Sequence, residues 1–180
     1  FPYIYSSAAE TCRTGLPKVR AMMVAFPENA ETVPLCDQYL FGDALLVKPV
    51  TRPLAEGGAI TDVALPACGW YNLFTLEYVS GGTVSVPTPP DRFPLFVRAG
   101  SLLPLSSGAL CAADAAVREL CVFCGADGAF TLYDDAGDGP ADGSRISLRY
   151  TEDTGELTLE AGGTPVLLTV RFIATNGSVR

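Results

Sequence analysis

Histidine is absent from these 180 residues. A Cys2His2 zinc site is thereby excluded, and any four-ligand zinc site would have to be assembled from cysteines far apart in the chain. No stretch approaches the ~18 to 20 consecutive apolar residues that a helical membrane span needs. Positive charge is scarce as well: 12 Lys and Arg stand against 20 Asp and Glu, a formal net charge of -8. That balance argues against a nucleic-acid footprint and against attraction to an anionic membrane. The expectation is a soluble chain with neither as partner. The first residues lack the basic segment, apolar run and small-residue cleavage site of a signal peptide. An opening on Phe1 rather than methionine leads us to expect that an upstream part is missing. Charged residues are only 18% and apolar ones 48%, so disorder is not expected. The length suits one ordinary domain or two small ones and can bury a sizeable core.

The most informative stretch is 91–105, which reads as two strands meeting at a bend. Phe93, Leu95 and Val97 alternate with Pro94, Phe96 and Arg98, and period two assigns one set to a buried face. Ala99-Gly100 breaks the pattern where a positive φ is expected, and Leu102, Leu103 and Leu105 restart it. Pro94 and Pro104 should mark strand ends or an edge, because proline cannot donate to a ladder.

Before it, residues 3–13 predict a helix of about three turns closed by Thr14-Gly15. The apolar run Val19, Met22, Met23, Val24 and Phe26 predicts a strand covered on both faces. From Leu45 onward short strands are predicted at 45–50, 60–65, 70–74, 83–86, 95–98 and 102–105. Gly57-Gly58, Gly81-Gly82 and Pro87 to Pro90 divide them, as in an antiparallel sandwich. Residues 106–116 are the expected boundary to a second all-β unit, with strands at 120–124, 129–133, 145–150, 157–161 and 166–173. Gly125-Ala126-Asp127-Gly128 is a hairpin turn by composition.

Several words along the chain resemble, in order, the segment that closes the (β/α)8 barrel of glycoside hydrolase family 31, the α-glucosidases and α-xylosidases. These are Phe1-Pro2-Tyr3-Ile4-Tyr5, Thr14-Gly15-Leu16-Pro17, Arg20-Ala21-Met22-Met23 with Phe26-Pro27, and Asp37 to Val47 with Pro49-Val50. Gly69 to Thr75, Gly81-Gly82 and the 91–105 stretch resemble the C-terminal β-domain of the same family, and residues 125–135 resemble the opening of its distal C-terminal domain. The resemblance weakens after about Tyr150. Leu76 stands where the family usually has glycine, Asn72 where it often has aspartate, and Ala136 interrupts an acid-acid-glycine run.

The resemblance implies a mainly β fold: the end of a (β/α)8 barrel over 1–44, a proximal C-terminal β-sandwich over 45–110 and a distal C-terminal β-domain over 111–180. It implies a parent that is a retaining glycosidase acting on terminal α-linked glucose or xylose, with no cofactor. The partners implied are an α-glucoside or α-xyloside oligosaccharide, bound through the parent, and the missing barrel domain. The alternative is a stand-alone carbohydrate-binding or adhesion β-module. Residues 1–50 count against it, since their apolar elements would have no barrel to join.

Retaining hydrolysis needs two carboxyl groups about 5 to 5.5 Å apart. In the family both are aspartates in barrel motifs of which no copy occurs here, so no catalytic residue is carried over. The isolated acids Asp37, Asp43, Asp62 and Asp91 read as turn or capping residues, and Arg20 as a buried structural pair rather than a group at the catalytic face. Asp134 to Gly139 suggests calcium, but an EF-hand loop would require a bidentate glutamate where Arg145 stands, so an acidic glycine-rich turn is favoured and no metal site is assigned. Cys121 and Cys124 have zinc-knuckle spacing without a second pair. All six cysteines, Cys12, Cys36, Cys68, Cys111, Cys121 and Cys124, are read as buried thiols. Trp70, Tyr71, Phe74 and Tyr78 could form a sugar-stacking platform, with Trp70 and Phe74 on one side of a strand; core packing is favoured for Trp70.

Overall fold

The computed structural model describes residues 1–53, 58–106, 108, 117–135, 137, 143–161 and 169–179. By packing the chain forms two compact units, Pro17–Ala99 and, from two separated segments, Phe1–Leu16 with Gly100–Arg180.

The Pro17–Ala99 unit begins with β1 (Val19–Ala21) and a single helical turn, α2 (Met22–Ala25). Here the expected strand covered on both faces gives way. β1 lies at the sheet edge, and Met22 and Phe26 stand four apart, so one turn of helix puts both on one face. The Phe26 amide closes that turn on the Met22 carbonyl at 2.9 Å, and Val19, Met23 and Val24 are left exposed.

Next come β2 (Tyr39–Phe41), β3 (Leu45–Val47), β5 (Trp70–Asn72), β6 (Tyr78–Val79) and β8 (Leu95–Arg98), which join β1 in a six-stranded sheet ordered β1-β2-β3-β8-β5-β6. All of its pairings are antiparallel. The remaining strands, β4 (Ala59–Leu65) and β7 (Gly82–Thr88), form a two-stranded antiparallel sheet.

One core joins the two sheets: Val63 and Leu65 of β4 pack with Leu40, Leu46, Trp70 and Phe96 of the larger sheet and with Met22 and Phe26. Two sheets thus share one core, which takes in residues before Leu45, while the residues from Gly100 onward belong to the other unit. In β8 both Phe96 and Val97 are buried, not one alternate set. Both faces of the sheet are therefore covered at β8, and the alternation disappears with the solvated face.

In the other unit α1 (Pro2–Thr14) ends at Gly15, whose φ of 77° and amide bond to the Thr11 carbonyl supply the expected stop. Two three-stranded sheets follow. β9 (Leu102–Ser106), β10 (Val117–Phe123) and β14 (Thr169–Ile173) are ordered β14-β10-β9, and β11 (Gly128–Asp134), β12 (Ser144–Thr151) and β13 (Glu156–Ala161) form the second. β10 pairs with β14 in parallel and with β9 antiparallel. Pro104 lies within β9, and β9 is an edge, where a missing donor is tolerated.

Along β12 the buried residues Ile146, Leu148 and Tyr150 alternate with exposed ones and meet Leu102, Leu120, Val122 and Leu132 in a second core. Residues 125–128 do not make a hairpin, because β10 and β11 belong to different sheets. Composition marks a turn there but not where the next strand goes.

Candidate functional site

The residues singled out in the sequence are dispersed by the fold. Asp43 lies in the β2–β3 turn, where it pairs with Arg20, and the Arg20 guanidinium also donates to the Gly42 carbonyl at 2.7 Å. Arg20 is mostly buried while Asp43 is fully open to solvent, so only half of the expected buried pair is buried. The Arg20 Nε is buried without a hydrogen-bond partner among the described residues.

Asp37 pairs with Lys48 at 2.5 Å. Asp62 is not at a turn: it sits mid-strand in β4 opposite Ser85, whose hydroxyl donates to it at 2.7 Å. Asp91 lies 3.6 Å from the Arg92 Nε. Each isolated acid thus has its own local cation or donor.

Asp135 is an acceptor at the end of β11. The Tyr5 hydroxyl donates to its carboxylate at 2.8 Å and the Gly137 amide at 3.0 Å. These two bonds, with a smaller contribution from Tyr133, hold the carboxyl below its ordinary range, while the same contact pushes the Tyr5 phenol up to about 12. No group of three or more Cys, Asp or Glu side chains with metal-site geometry occurs among the described residues; Ala136, Asp138 and Gly139 of the acidic run lie outside them.

Of the cysteines, Cys12 and Cys36 are exposed, contrary to the reading of buried thiols: Cys12 lies in the last turn of α1, away from its buried residues Tyr3 and Ser6, and at Cys36 it is the preceding Leu35 that packs on the core. Cys68 is half-buried and Cys121 is buried. Burial, joined by a hydrogen bond to Glu119, pushes the Cys121 thiol up to about 12. The Cys124 thiol turns toward the Val122 carbonyl, and Cys111 lies outside the described residues.

The aromatic platform separates too. Trp70 and Tyr71 are fully buried, as Trp70 was expected to be, and the Trp70 indole donates to the Pro66 carbonyl at 2.9 Å. Phe74 falls beyond the end of β5 and is 47% exposed, so it does not share a strand face with Trp70. Asn72 explains this: its side-chain oxygen accepts the Phe74 amide at 2.9 Å, turning the chain out of the sheet.

What does come together is a cleft of about 470 Å³ at the end of the β3–β8 pair. Val47, Pro49 and Val50 line one side, Pro90 to Phe93 another, and Tyr39 of β2, the cross-strand partner of Val47, completes the lining. The walls are tied where the Lys48 amide donates to the Pro94 carbonyl at 3.1 Å, and the second wall is itself a turn, closed by the Arg92 amide on the Pro89 carbonyl at 3.1 Å. The Arg92 guanidinium rests 5.4 Å from the centre of the Phe74 ring, a cation–π placement that fixes a long side chain at the rim. Sequence reasoning named Phe74, Phe93 and Asp91 separately, but no local pattern shows that β2, β3 and the 89–93 turn converge.

By fold this is a mainly β protein with two separate cores, one of them a sandwich. Residues 15–103 match the family described as "Glycosyl hydrolase family 31 C-terminal domain", and the chain belongs to glycosyl hydrolase family 31, carrying its C-terminal part.

Among its relatives, mouse (Mus musculus) neutral alpha-glucosidase C is 39% identical over 109 residues, which is 59% of this chain and 12% of that protein. An alpha-xylosidase of Saccharolobus solfataricus is 37% identical over 141 residues, 76% of this chain and 19% of that one. The crystal structure of the family 31 alpha-xylosidase from Xanthomonas citri superposes with a TM-score of 0.85 at 37% identity, covering 96% of this chain and 20% of that chain. The chain therefore spans between about an eighth and a fifth of the length of these relatives.

Proposed function

We propose that the chain is the non-catalytic C-terminal portion of a retaining α-glycosidase that hydrolyses terminal α-linked glucose or xylose. Its local role is to brace a (β/α)8 barrel. In this reading 1–44 are the end of the barrel, 45–110 the proximal sandwich and 111–180 the distal β-domain. The observation that carries it is the likeness to an α-xylosidase over 96% of this chain but only 20% of the other, which leaves most of such an enzyme outside these residues.

The local chemistry supports the same reading. Asp37, Asp43, Asp62 and Asp91 are each engaged by a separate partner, whereas a nucleophile and a proton donor must flank one glycosidic bond. The exposed Val19, Met23 and Val24 offer an apolar surface suited to a neighbouring barrel strand. The oligosaccharide is then bound through the parent, and neither nucleic acid nor membrane is a partner of this acidic chain.

Turnover of aryl α-glucosides and α-xylosides by the purified chain tests the proposal. Rates no higher than buffer are expected. Rates above buffer that vanish on Asp37→Asn or Asp43→Asn would place the chemistry in this chain and overturn it.

A further inference from the structure

We propose that the cleft between the β3 end and the 89–93 turn is a saccharide-binding subsite that takes one or two α-linked pyranose units. The inference rests on the α-glycosidase reading only for the choice of sugar; the binding itself is argued from the cleft.

Its size, about 470 Å³, lies within the ~300–1,000 Å³ of small-molecule sites. Most of its lining is apolar. Phe93 is 44% exposed and Val50 37% exposed, and they stand with Pro49, Pro90 and the Tyr39 ring around one opening. A pyranose presents a face of C–H groups that packs on such a surface and a rim of hydroxyls that cannot be left dry.

The rim of the cleft meets that need. The Asp91 carboxylate accepts and the Arg92 guanidinium donates, and both side chains are more than half exposed, so neither is committed to a buried partner. Their 3.6 Å separation makes a loose, solvent-open pair that sugar hydroxyls can bridge without breaking a tight contact. Because the two charges cancel, the rim favours a neutral polyol over an anion or a cation. An inorganic ion would gain nothing from the apolar walls, and a purely apolar ligand would leave Asp91 and Arg92 desolvated and unpaired.

The site is also held in place before any ligand arrives, by the Lys48–Pro94 and Arg92–Pro89 backbone bonds and by Phe74 under the Arg92 guanidinium. Ordered groups cost little to fix on binding.

The test is a titration of the isotope-labelled chain, followed by amide chemical shifts, with maltose, isomaltose and sorbitol as probes. Sorbitol carries hydroxyls without a ring face. Saturable shifts confined to the amides of residues 39, 47, 48, 50 and 91–93 are expected with a disaccharide, at a dissociation constant on the order of millimolar, as suits an open site. Sorbitol should leave those residues unmoved. Phe93→Ala should weaken disaccharide binding at least about fivefold, as lost ring packing requires, Asp91→Asn should weaken it less, and Phe93→Trp should retain it. If Phe93→Ala loses the dispersed spectrum of the folded chain, the Trp and Asn variants carry the comparison. Equal shifts with sorbitol, shifts elsewhere on the chain, or none with either disaccharide would overturn the subsite, while the turnover assay would still stand as the separate check on the glycosidase reading.

Discussion

Gly100 and Gly128 are held against each other's backbone. A Cβ on Gly100, whose φ is +82°, would run into the Asp127 carbonyl, and one on Gly128 would run into the Gly100 carbonyl. Gly100→Val combines a positive φ with a β-branched side chain and a collision, so it should destabilise the chain by more than the ~1 kcal/mol of a typical point mutation in urea unfolding. A change of ~0.5 kcal/mol or less would mean that the backbone relaxes there as ordinary extended chain. Gly100 was legible, because it interrupts two apolar runs. Gly128 was not: its own neighbours spell a turn, and only the packed structure shows what it must clear. Leu76 is the opposite case. It occupies φ +59° without being glycine, so a left-handed position is filled by a residue that does not suit it. Leu76→Gly should be more stable than Leu76→Ala by about 1 kcal/mol, since both remove the side chain and only glycine sheds the αL penalty. Thermal or urea melts of the two variants decide it, and an alanine variant equal to glycine would refute it.

Elements are joined by a few named contacts, and α1 on β11 is the clearest instance. Tyr3 stacks on Phe130 with ring centres 5.7 Å apart, the Ser6 hydroxyl accepts the Tyr133 amide at 3.0 Å, and the Tyr5 hydroxyl donates to Asp135. The last contact titrates at both ends. Asp135 is held below its ordinary pKa, so its contribution is present above the unfolded value and lost as pH falls through the folded one. Tyr5 is raised to about 12, so its contribution is full below the ordinary phenol value and lost as pH rises toward about 12. The stability difference between the unmodified chain and Tyr5→Phe should therefore be level from about pH 5 to 9 and shrink on either side. A difference that does not vary with pH would assign the effect of Tyr5 to packing alone. α1 itself was readable from its length and its glycine stop. Its seat was not, because Tyr5 and Asp135 are 130 residues apart and no local period records such a pairing.

Over the whole molecule the legible part was the class: short strands, glycine and proline turns, two apolar cores. The strand spacing gave most of β4 to β14, while β2 and β6 were missed because three or two residues carry too little alternation to register. Phe26, expected in a strand covered on both faces, packs edge-on to Trp70 from the end of a helical turn, with centroids 6.3 Å apart; Val19, Met23 and Val24 beside it remain about half exposed. The isolated chain should associate through that segment. Met23→Glu with Val24→Lys should shift sedimentation toward monomer without lowering the melting temperature, since neither side chain is in the core. An unchanged oligomer distribution would show that the segment is not the contact.

The distance between Tyr5 and Asp135 also sets a schedule during synthesis. The strand that seats α1 leaves the ribosome 130 residues after the helix does, an interval of roughly 7 to 26 s at ~5–20 residues per second. Every residue of the Pro17–Ala99 unit is made within that interval, so the sandwich can close first while the nascent helix waits with Tyr3 and its neighbours uncovered. A chain stalled before residue 128 would hold a complete sandwich and an unseated helix, and that helix is where a nascent-chain chaperone would find its ligand.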